Sequence, residues 1–190
     1  MERIVNYFEK IGKDNSAACL EIVKKAIATN GYKHIVVATT CGDTGLLFSE
    51  AFKNRPDINL VAVTHSSGFK EPNTLEISPE TIAKIKDNGA KIYTGTILTH
   101  SIETALAAKF SGVYPTTLIA QTLRIFGEGT KVCCEIAMMA VDGGLIPEGQ
   151  DVITVAGTGR GADTVIIIKA AASKRFFDLK VQEILAKPRL

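Results

Sequence analysis

The sequence predicts an α/β protein, with three αβα layers around a mostly parallel sheet in one domain spanning residues 1–190. Three observations carry this. Short β-branched apolar runs at 35–37, 60–63 and 152–156 show almost no polar alternation, as expected of strands covered on both faces. Segments with helical spacing separate most of these runs. A chain of 190 residues with a 46% hydrophobic share can bury one sizeable core without disulfide or metal staples. Alternating strands and helices then imply right-handed βαβ units, with helices on both faces of the sheet.

Residues 3–8 read as a short edge strand. Asp14 or Asn15 caps a helix running to about residue 29, with apolar positions at Ala18, Ile22 and Ala26 and further candidates at Cys19 and Ile27, and Asn30-Gly31 ends it. The strand at 35–37 changes at once into Thr39-Thr40-Cys41-Gly42-Asp43-Thr44. A helix follows over 44–52 and stops at Asn54-Arg55-Pro56. After the strand at 60–63, residues 64–78 form a long polar loop of the kind that is often functional. Ser78-Pro79-Glu80 starts a helix, with Pro in its first turn, and Asn88-Gly89 stops it. A strand is expected at 90–94 and helices at 101–110, 116–126 and 131–141, the last ended by Gly143-Gly144. Strands at 152–156 and 164–168 flank Gly157-Thr158-Gly159-Arg160-Gly161-Ala162-Asp163. Alternation of Phe177, Leu179 and Val181 points to a last strand over 176–185 rather than a short helix.

Composition excludes several functions. The net charge is only +2 and no basic stripe occurs, so nucleic acid is not expected as a partner. No apolar run reaches membrane-spanning length and no signal-peptide layout opens the chain, so no membrane association and a cytoplasmic location are expected. The four cysteines lack C-x-x-C spacing, which fits a reducing compartment. Cys133 and Cys134 are helical neighbours pointing about 100° apart, and no metal site is expected. Ser-His-Asp and Walker A patterns are absent, and no catalytic residue is assigned.

Ligands of open parallel sheets bind beyond the carboxyl ends of the strands. Three loops leave such ends here: 39–44, 64–73 and 157–163. In the first, backbone N–H groups beside a helix N-terminus, with hydroxyls from Thr39, Thr40 and Thr44, suit an anion such as a phosphate. Gly42 is expected to let the backbone approach the ligand closely. A plain βα turn capped by Asp43 or Thr44 fits the same residues. Cys41 is either a reactive thiol or a small space-filler. The third loop contains G-x-G-x-G, but a strand and not a helix follows it, so it is no dinucleotide fingerprint. Arg160 is its best candidate for a charge-assisted contact, or else a solvated arginine on a hairpin turn. His65 and His100 each follow a strand and can reach the cleft, while His34 reads as structural. Glu135, Met139 and Asp142 fall near one helical stripe.

With these loops in view, two stretches resemble the C-terminal domain of pyruvate kinase. One runs from Ile35 through Thr39-Thr40-Cys41-Gly42-Asp43-Thr44 to Val61-Ala62-Val63-Thr64. The other is Gly144-Leu145-Ile146-Pro147-Glu148-Gly149-Gln150-Asp151, leading into Val152-Ile153-Thr154-Val155-Ala156-Gly157. The resemblance spans roughly residues 15 to 170, and the ending at Phe176-Phe177-Asp178 and Lys187-Pro188-Arg189 looks like a stand-alone archaeal or bacterial branch. It implies that the strand–loop–helix binds a phosphate. It also implies that the protein is not a pyruvate kinase, because the catalytic barrel is absent. The branch is associated with flavin mononucleotide (FMN), and this is the expected cofactor. Thr40 and Asp43 stand where the family's effector loop is basic, so a monophosphate with an aromatic body fits better than a sugar bisphosphate. The expected binding residues are those of the first loop, then His65, Ser67, Gly68 and Phe69, then Gly157, Thr158, Gly159 and Arg160. His65 and Ser67 would serve as donors to the ring's polar edge, and Phe69, Ile97 and Leu98 as its walls. An FMN-dependent oxidoreductase and a non-catalytic sensor of a phosphorylated metabolite both follow from this. A homo-oligomer is compatible with either.

Overall fold

The computed structural model describes residues 2–189. Its seven strands are β1 (Asn6–Phe8), β2 (His34–Ala38), β3 (Asn59–Val63), β4 (Lys91–Tyr93), β5 (Asp151–Ala156), β6 (Thr164–Lys169) and β7 (Lys180–Pro188). They form one sheet in the order β1-β7-β6-β5-β2-β3-β4. Neighbours pair in parallel except β6, which runs antiparallel to both β5 and β7. The sheet is therefore mostly parallel, with one reversed strand.

The six helices are α1 (Ser16–Asn30), α2 (Asp43–Phe52), α3 (Pro79–Asp87), α4 (Ile102–Phe110), α5 (Pro115–Arg124) and α6 (Glu128–Asp142). Alternate residues of the central strands face opposite layers, as the two-residue period of a strand requires. Ile35 and Val37 pack with Val23 of α1, Phe48 of α2 and Ile85 of α3. Val36 and Val61 pack instead with Ile136 and Met139 of α6. Local signals fix the helix ends. Gly31 takes a left-handed φ of 71° and donates to Ile27 O at 2.8 Å, closing α1. Ser78 Oγ accepts from Thr81 N at 3.2 Å, with Pro79 in the first turn of α3. α6 is wrapped on nearly all sides, with eleven of its fifteen residues buried, whereas α4 buries none.

The connection at 157–163 joins an antiparallel β5–β6 hairpin, the hairpin-turn alternative for that loop. Two expectations change in detail. α6 begins three residues earlier than its periodicity suggests, at Glu128. The last strand starts at Lys180, and Phe176 and Phe177 lie in a 3-10 turn (Ser173–Asp178). That turn is pinned by Arg175 on Glu148 (2.7 and 2.6 Å) and by Ser173 N on Asp142 Oδ1 (2.9 Å), while Phe177 faces solvent at 84% exposure. Among the described residues no helix is long and apolar enough to cross a membrane.

Candidate functional site

A cavity of about 240 Å3 opens beyond the carboxyl ends of β2, β3 and β5, and its walls come from both helical layers. The first wall follows β2. Thr39 N donates to Val63 O at 2.8 Å, carrying the β2–β3 pairing one step past the strands. The chain then turns through Gly42 (φ 105°) into α2. Thr39 Oγ1 accepts from Gly45 N at 3.1 Å and Gly42 O accepts from Leu46 N at 2.8 Å. Among the described residues, the N–H groups of Thr40, Cys41, Gly42, Asp43 and Thr44 make no intramolecular hydrogen bond. Five successive free donors thus adjoin the positive end of α2. Thr39, Thr40, Cys41, Asp43 and Thr44 line the cavity. Gly42 is not among the lining residues and contributes to this wall only its free main-chain N–H. It is buried, and a Cβ there would run into the Thr81 methyl of α3, so this glycine serves a left-handed turn and a close helix contact.

The β5–β6 connection supplies Gly157, Gly159 and Arg160, with the Arg160 guanidinium meeting Cys41 Sγ. Thr158 lies outside the lining, and its buried Oγ1 has no partner among the described residues. The connection is held by Asp163, which is fully buried. Its Oδ2 accepts from Gly12 N (2.8 Å) and Thr158 N (2.9 Å), and its Oδ1 from Thr164 Oγ1 (2.8 Å).

The loop after β3 brings His65 and Phe69 to the cavity, but Ser67 and Gly68 sit on its exposed turn, where Gly68 N donates to Thr74 O at 2.9 Å. His65 Nδ1 lies 2.6 Å from Glu76 Oε2, and its ring packs on Phe69 at 4.2 Å between centroids. Burial opposes ionisation of Glu76, but the hydrogen bond and charge of His65, with Lys70 beyond, hold its carboxyl below the ordinary range. Sequence reasoning missed Glu76, whose only signal was an acid in the same long loop as the histidine.

The second wall is α6, which turns Glu128, Lys131, Glu135, Ile136 and Met139 to the cavity. Lys131 is 2% and Glu135 4% exposed, and Nζ and Oε2 are 2.5 Å apart. Glu135 Oε1 accepts from Thr99 N (2.8 Å) and Thr99 Oγ1 (2.7 Å), tying the segment after β4 to α6. Burial works against the Glu135 carboxylate, yet the Lys131 ammonium and the Thr99 donors outweigh it and lower its pKa. That segment also brings Ile97 and His100 to the cavity, whereas Leu98 packs into the α6-side core. His100 is shifted below its ordinary pKa, first by lost solvation and then by Lys131 beside it. Arg124 Nε pairs with Glu128 Oε2 at 2.6 Å on the rim. Of the stripe expected on this helix, Glu135 and Met139 reach the cleft, and Asp142 is turned to Ser173. Lys131 was not anticipated as a site residue, although an i,i+4 Lys–Glu pair amid Val132, Cys133, Cys134 and Ile136 was the available signal. No metal-holding cluster of three or more His, Cys, Asp or Glu occurs among the described residues.

Compared with known proteins, residues 17–168 match the family model described as "Pyruvate kinase, alpha/beta domain". The chain belongs to this family. The match covers β2 through β6 and therefore every loop that meets at the cleft. A solved structure described as "Crystal structure of O-ureido-L-serine synthase" is similar at 18% identity and a TM-score of 0.33, covering 76% of this chain and 51% of that one. The chain thus spans about half the length of that protein, and so distant a likeness carries no argument about the site.

Proposed function

We propose that this family domain binds a phosphorylated ligand with an aromatic body, FMN being the leading candidate. The observation that carries the reading is the run of five unpaired N–H groups from Thr40 to Thr44 beside the α2 N-terminus, on one wall of a cavity. A phosphate there would take backbone donors, the Thr40 and Thr44 hydroxyls and, across the rim, Arg160. Thr39 retains its hydroxyl proton for donation while its oxygen accepts from Gly45. Phe69, Ile97 and Met139 supply apolar surface for an aromatic ring. The volume of about 240 Å3 falls a little under the ~300–1,000 Å3 of ordinary ligand pockets, so a nucleotide-sized ligand fills it and continues past the rim. When bound, a flavin supplies the electron-transfer chemistry, and the protein's part is to hold, orient and electrostatically bias it.

A second reading, a sensor that binds without catalysis, is favoured by one observation. Glu128 and Glu135, the glutamates lining the cavity, are both engaged by cations, which leaves neither as a free general base. The deciding measurement is the visible spectrum of the purified protein, followed by titration of the colourless form with FMN. Bound flavin that is quenched on binding and released by denaturation is expected, and Thr44→Val should weaken binding by about 1–3 kcal/mol. No FMN binding in either experiment removes the flavin. FMN bound but unreactive toward every offered acceptor leaves the sensor.

A further inference from the structure

Lys131 is unusual for a lysine, in that almost none of its surface reaches solvent and yet it lines the cavity. An ammonium has three N–H donors and no acceptor. Among the described residues, Lys131 makes one hydrogen bond, to Glu135 Oε2. Glu135 itself accepts three hydrogen bonds, one from Lys131 and two from Thr99. A buried cation with two unspent donors beside a cavity is a costly arrangement unless an acceptor arrives to meet them. The phosphate cradle lies in the α2 layer of the sheet, whereas Lys131 lies in the α6 layer. The two polar poles therefore face the cavity from different sides of the sheet, with Phe69, Ile97 and Met139 among its other walls.

We infer that Lys131 is a second, ring-recognising contact, donating to a carbonyl or anionic nitrogen acceptor at the end of the ligand remote from its phosphate. This rests on the flavin reading above and deepens it, because the pyrimidine edge of a flavin carries such acceptors. Glu135 and Thr99 then hold the ammonium in place, and Glu135 balances its charge when the site is empty of anion. A cation at that edge favours the anionic form of the reduced ring.

The experiment titrates FMN into wild type, Lys131→Met and the charge-balanced pair Lys131→Met with Glu135→Gln. The pair is included because the single change leaves a buried carboxylate alone and can unfold the protein. The expected result is an FMN dissociation constant raised about tenfold or more in the pair, together with displaced absorption bands of the flavin that remains bound. Unchanged affinity and spectrum in the folded pair, with wild type binding FMN, overturn the role of Lys131 alone. Weaker affinity with an unshifted spectrum also overturns it, since Lys131 would then serve the phosphate. Wild type that binds no FMN overturns the flavin reading, and this inference falls with it.

Discussion

The α2 wall and the α6 wall of the cleft differ in what presents charge to a ligand. At the start of α2 the donors are main-chain N–H groups, placed by a turn of six residues that are contiguous in sequence. On α6 they are side chains, placed by burial and by a hydrogen bond to Thr99 from another segment. A wall of main chain is tolerant, because most residue types carry the same N–H and only the turn geometry must survive. A wall of buried charge is exacting, because removing one member leaves its partner's charge buried and unpaired. Substitutions should therefore hurt the two walls by different amounts and in different ways.

The largest effect is expected on the exacting side. Glu135→Ala strands the buried Lys131 ammonium and should cost about 3–5 kcal/mol of stability in chemical denaturation. A loss under about 1 kcal/mol would erase the contrast. The same carboxylate gives a pH signature. Its folded pKa is lowered, so its contribution is complete above the ordinary value of 4.5 and is lost as pH falls through the lower native value. Glu135→Gln should flatten the acid limb of the stability profile, measured as unfolding midpoint against pH.

Next comes the anchor of the hairpin that carries Arg160. Asp163→Ala leaves the N–H groups of Gly12 and Thr158 without their acceptor and should cost about 3 kcal/mol. Thr39→Val removes only the hydroxyl that accepts from Gly45 N and should cost about 1 kcal/mol, with α2 intact by circular dichroism. The smallest effect is one of reactivity. Burial raises the thiol of Cys19 to about 12, that of Cys134 to about 12 and that of Cys133 well above its ordinary value, whereas Cys41 sits at the cavity. A thiol reagent should therefore titrate one cysteine in the native protein and four in denaturant. Cys41→Ser should abolish the native reaction and leave stability within ~0.5 kcal/mol.

The same division explains what the sequence made legible. β2, the turn after it and α2 follow one another along the chain, so apolar run, small polar residues and helical spacing suffice to place that wall. The Thr99–Glu135 and His65–Glu76 contacts join residues 36 and 11 positions apart across irregular loops, and no local period announces them. Gly42 shows the limit from the other side. Its turn role is local and readable, but its packing against Thr81 is tertiary and is not. The direction of β6 cannot be read from the fully buried run Val165, Ile166, Ile167 and Ile168, but the seven-residue link before it is too short for a parallel crossover and points to the hairpin.

The contrast between a helix with eleven buried residues and one with none carries over to hydrogen exchange. Amides of α6 lie under the sheet-facing core and should exchange only when the whole domain unfolds, on the slowest timescale the protein has. Those of α4 can exchange through local opening that disturbs little else. Thr99 joins the two regimes, because the segment leading into α4 is fastened to α6 through Glu135. Opening confined to α4 would loosen the His100 side of the cleft while leaving Lys131 fixed, so a ligand could pass without any cost to the core that holds its charged contact.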